Sequence, residues 1–64
     1  MDVYFLYRDG KYQRTLTWSE VQSLARESVG TTNVLRVEFV PTLLAGPVTI
    51  WDYDPTEGRF VRQR

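Results

Sequence analysis

Val3-Tyr4-Phe5-Leu6-Tyr7-Arg8-Asp9-Gly10-Lys11-Tyr12-Gln13-Arg14-Thr15-Leu16-Thr17-Trp18-Ser19-Glu20 decides the fold. The first six residues, rich in aromatic side chains, alternate like a strand. Asp9-Gly10 is the strongest short hairpin signal, and residues 11–16 return as a second strand. Thr17 and Glu20 stand at the two positions of a capping box, with Leu16 and Val21 placed as a hydrophobic staple, so a helix opens at once. Side chains alternate across a strand. A two-residue loop sets Arg8 against Lys11, Tyr7 against Tyr12, Phe5 against Arg14 and Val3 against Leu16. This predicts a core face of Val3, Phe5, Tyr7, Tyr12 and Leu16, with Arg14 among them. It leaves a mixed face of Tyr4, Leu6, Arg8, Lys11, Gln13 and Thr15.

Outward from this run, Trp18, Val21, Leu24, Ala25 and Ser28 recur at helical spacing and predict a helix over 18–28. Gly30 is a natural stop in the left-handed conformation. Residues 34–40 predict a third strand, which Pro41 ends or places at an edge. Residues 42–47 form an uncharged loop containing Leu43 and Leu44. Residues 48–53 predict a fourth strand, 54–58 a turn around Pro55 and Gly58, and 59–63 a fifth strand. The expected fold class is α+β: one small compact domain over 1–64, in the order β-β-α-β-β-β, with one helix packed on one face of an antiparallel or mixed sheet. The stretch Asp52-Tyr53-Asp54-Pro55-Thr56-Glu57-Gly58-Arg59-Phe60 resembles the turn and return of Rhs/YD-repeat proteins. The resemblance covers one hairpin and implies turn chemistry without a function.

The chain has 64 residues, no cysteine and no histidine. A core of this size is marginal, and no disulfide supports it. Two Trp, four Tyr and three Phe compensate, since each buries a large area. Eight basic and eight acidic residues cancel, so net charge gives no pull toward a polyanion. Seven of the eight basic residues are Arg, whose planar fork suits interfaces. No apolar run approaches the ~18 residues of a membrane span. Strand pattern begins directly after Met1-Asp2, so no signal peptide is expected, and the absence of cysteine suits the cytoplasm.

Catalytic chemistry is poorly served. There is no Cys nucleophile and no His base, and Ser19, Ser23 and Ser28 have only carboxylates or Arg26 nearby. Asp52 and Asp54 point to one side of a strand, but solubility and an Asx turn account for them. The four glycines are isolated turn residues and form no phosphate-cradling loop. The chain is expected to be no enzyme, with no catalytic residue, cofactor or metal.

Coverage carries the functional expectation. A helix of about eleven residues is ~16 Å long, against five strands spanning roughly 20 Å. One face of the sheet therefore stays open, and contiguous apolar area left open on a small protein marks an interface. The expected partner-binding residues are Tyr4, Leu6, Arg8, Lys11, Trp51 and Tyr53. The expected function is a non-catalytic protein-binding module, a small regulator or inhibitor docking on a larger host protein. The chain is expected to be complete at 64 residues and of the sort that phages and mobile elements encode. A homodimer is a further partner open to it. The alternative is a nucleic-acid binder using Arg8, Lys11, Arg59, Arg62 and Arg64 beside exposed aromatics. A second alternative is a structural subunit of a larger assembly.

Overall fold

A computed structural model of the chain describes residues 2–41 and 46–63. Its elements run β1 (Tyr4–Arg8), β2 (Lys11–Leu16), α1 (Trp18–Glu27), β3 (Leu35–Phe39), β4 (Thr49–Asp54) and β5 (Arg59–Arg62). The strands form one antiparallel sheet in the order β2-β1-β3-β4-β5. The α+β class and the element order are as the sequence predicts. Leu43 and Leu44 of the apolar loop lie outside the described residues, as does Arg64.

The turns form for the reasons their residues supply. Asp9 and Gly10 both adopt positive φ, 52° and 82°, as a hairpin turn matched to strand twist requires. Asp9 also does something not visible in the local pattern. Its backbone N–H donates to the Val34 carbonyl at 2.8 Å, and its carboxylate accepts the Val34 N–H at 2.9 Å. The hairpin tip is thereby tied to the entry of β3, which then pairs along β1. The third strand thus lies in the middle of the sheet. It ends at Phe39, two residues before Pro41, so the proline removes no donor from the ladder.

The face of the first hairpin differs from the expected one. Arg8–Lys11 and Tyr7–Tyr12 pair as predicted, but the register then shifts, and Leu6 faces Arg14, Phe5 faces Thr15 and Tyr4 faces Leu16. One extra residue on β2 is a β-bulge, and a one-residue shift exchanges the faces of everything beyond it. Leu16 leads into the helix and is buried against it. Its new neighbours Tyr4 and Leu6 therefore go into the core. Val3, Phe5, Tyr7 and Tyr12, expected inside, lie on the opposite face.

The helix covers one side only. Leu6, Leu16, Val21 and Val37 form one buried cluster, against which Tyr4, Leu24, Trp51 and Phe60 pack. Ala25, Leu35 and Tyr53 form a second, which shares Phe60. Val37, on the central strand, is fully shielded. An aromatic group of Tyr4, Trp18 and Trp51 seals one end, with ring centroids 5.1–5.6 Å apart in tilted and edge geometries. Burial, followed by the nearby Asp2 carboxylate, pushes the Tyr4 phenol above its ordinary pKa.

The capping box is complete. The Thr17 hydroxyl accepts the Glu20 N–H at 3.2 Å, and the Glu20 carboxylate accepts the Thr17 N–H at 2.8 Å. Thr17→Ala is expected to cost about 1 kcal/mol, read as a fall in Tm of roughly 4–8 °C. The Thr17 backbone bond holds the Glu20 carboxyl below the usual carboxylate range. Its contribution is present above the ordinary glutamate pKa and is lost as pH falls through the lowered one. The Tm of Glu20→Gln should accordingly show a shallower acid-side decline than that of the native chain.

Candidate docking face

The sheet face turned away from α1 follows from alternation along each strand. One cross-strand row is Tyr7, Arg36, Asp52 and Val61; the next is Phe5, Glu38 and Ile50. Val3 extends β1 on this side, and Val34 and Val40 flank β3. Of the large apolar residues that remain exposed, Val3, Tyr12, Val34 and Val40 belong here, with Tyr12 at 52% and Val34 at 68%. Tyr12 lies against both Phe5 and Tyr7, with centroids 6.1 and 5.8 Å away. The face is thus an aromatic corner on β1 and β2, with aliphatic side chains around a charged centre.

That centre is compact. The Arg36 Nε donates to the Asp52 carboxylate at 2.9 Å, an exposed pair linking β3 to β4. The bonded Asp52 carboxylate raises the Arg36 pKa. Glu38, two residues along β3, is only half-exposed, and its charge also favours the protonated Arg36. Tyr7, Gly10, Val34, Arg36 and Glu38 line a shallow hollow of about 340 Å³ on this face.

The expected partner-binding residues are distributed differently. Leu6, 2% exposed, and Tyr53, 9% exposed, are core residues rather than surface. Tyr4 and Trp51 are half-buried beneath the helix. Arg8 and Lys11 face each other beside the hairpin turn, away from that aromatic set. The face reversal explains the difference: the unpartnered side of the sheet exists, and the bulge gives it the other half of the β1 side chains. The nucleic-acid set is also divided. Arg8 and Lys11 lie on β1 and β2, whereas Arg59 and Arg62 lie on β5, with β3 and β4 between them. Arg59 has Glu57 3.9 Å away. These cations make no single patch.

Asp52 and Asp54 are each engaged locally. Asp52 accepts from Arg36, and the Asp54 carboxylate accepts the Thr56 and Glu57 N–H groups at 2.9 and 3.1 Å, the expected turn. Among the described residues no three His, Cys, Asp or Glu side chains stand together to hold a metal ion. A second cleft, about 250 Å³, lies between α1 and the β4–β5 hairpin, where Trp18, Arg26, Arg59 and Phe60 border it. Among the described residues no helix is long and apolar enough to cross a membrane. No family model, curated protein or solved structure matches the chain.

Proposed function

We infer that the chain is a small non-catalytic protein-binding module, a regulator or inhibitor that acts by laying the open face of its sheet against another protein. The observation that supports this reading is the composition of that face. Phe5, Tyr7 and Tyr12 form a connected aromatic corner beside Val3 and Ile50, with one Arg–Asp pair at the centre. Tyr, Phe and Arg are residues that interfaces favour. The cytoplasm is the compartment that suits a cysteine-free chain of this kind.

A paired substitution tests it. Tyr7→Ser with Tyr12→Ser should leave the far-UV circular dichroism native-like and lower Tm only modestly, because neither ring belongs to the buried clusters. Affinity capture from host lysate should then lose partners that the native chain retains. Identical capture by the native and doubly substituted chains would remove this face from the function.

A further inference from the structure

The geometry points to a second copy of this chain as an occupant of the open face, an inference that rests on the docking reading above. The two rows at the centre of the face carry opposite charges where they cross β3, Arg36 in one and Glu38 in the next. Tyr7, Arg36 and Asp52 lie side by side in one, and Phe5, Glu38 and Ile50 in the next. Consider a twofold axis lying in the plane of contact, across β3 at the level of Val37. It sets each strand over its own copy, reversed, and exchanges the two rows. Arg36 then meets Glu38 of the second copy, and Glu38 meets its Arg36. Phe5 and Tyr7 exchange in the same way, giving two aromatic contacts. Such an interface is isologous, the commonest form of soluble homo-oligomer.

Three features of the face fit that arrangement. Glu38 is half-exposed with the Arg36 charge of its own strand nearby, and the twofold brings a second guanidinium against it. Arg36 uses Nε for Asp52, and its remaining donors are directed by the same planar fork. Sheets stacked face to face keep their strands within about 30° of each other, compatible with reversed strands lying over one another. The area sets the strength. Five strands at ~4.8 Å spacing and about five residues at ~3.3 Å give a face of roughly 20 by 17 Å. This is less than the ~800 Å² per partner of a standard interface. The dimer is therefore a weak one that forms and dissociates in the micromolar range.

The test is sedimentation of the full chain from about 1 to 500 µM, a range chosen for a small interface. The native chain should rise from 7.5 kDa toward twice that mass. R36E places carboxylates at both positions, and E38R places guanidinium groups at both. Each variant alone should therefore dimerise at least tenfold more weakly. Mixed in equal amounts, they should form a heterodimer, because each position then meets the opposite charge. Native-like circular dichroism of each variant provides the folding control, and recovery in the mixture is itself evidence that both are folded. A native chain that stays monomeric throughout overturns the second copy. So does a native dimer that both variants retain, or a mixture no heavier than its components. Tyr7→Ser with Tyr12→Ser separates the two readings. If the native chain is monomeric but this double variant loses lysate capture, the second copy fails while the docking module stands.

Discussion

Leu6→Ala is expected to lower stability by about 2–5 kcal/mol, the range for truncating a fully buried leucine. Leu6 is 2% exposed and shares a cluster with Leu16, Val21 and Val37, so the lost methyl groups leave a cavity beneath the helix. At ~0.05–0.15 kcal/mol per residue, a chain of this length has only about 3–10 kcal/mol in total. One substitution thus removes a large fraction of it. At roughly 4–8 °C per kcal/mol, Tm should fall by at least ~8 °C. Tyr12→Ala is the comparison. Tyr12 occupies the opposite face at 52% exposure, and its truncation should cost less than half as much. Both values come from thermal or urea unfolding. If Tyr12→Ala proved the more damaging of the two, the assignment of faces would be reversed, and the docking surface with it.

Tyr53→Phe is the second large effect, and its cause is a single hydrogen bond. The Tyr53 hydroxyl donates to the Ala25 carbonyl at 2.6 Å in a buried setting. Ala25 lies in the last turn of α1, where helix carbonyls lack intrahelical partners. The phenol supplies one and fastens the end of the helix to β4. Phenylalanine keeps the ring, and with it the packing against Phe60 at a centroid distance of 4.9 Å. What is lost is the bond, and a buried carbonyl is left unsatisfied, at about 1–3 kcal/mol. Amide exchange in the last turn of α1 should accelerate along with the fall in Tm. A Tm within ~2 °C of the native value would mean that the bond adds nothing to the docking of the helix.

The two substitutions separate what was legible in the sequence from what was not. Residues 11–20 announce a strand followed by a capped helix, and that is what they form. The Tyr53–Ala25 bond spans 28 residues and has no local sign, although a tyrosine among apolar strand residues is a reasonable candidate for a buried hydroxyl with a partner. The candidate site was legible at the level of coverage. One short helix cannot shield both faces of five strands, and it shields one. Which side chains lie on the open face was not legible. Parity along β1 depends on whether β2 carries an extra residue, and Gln13-Arg14 gives no glycine or proline to mark a bulge. A substantially exposed Tyr12 and a fully buried Leu16 therefore sit on the same strand facing opposite ways.

Element order, the Asp9-Gly10 turn, the Thr17–Glu20 cap and the Asp54 turn were determined by the sequence alone, because each arises from contacts within four residues. The placement of β3 beside β1, the turning of Tyr4 and Leu6 toward the core, and the placing of Phe5, Tyr7 and Tyr12 on the opposite face were decided by tertiary structure. They depend on a carboxylate reaching from Asp9 to Val34 and on a one-residue shift in pairing. Neither interaction exists until distant segments meet. Since a shift of one residue exchanges the two sides of a strand, it also selects which residues are presented to a partner.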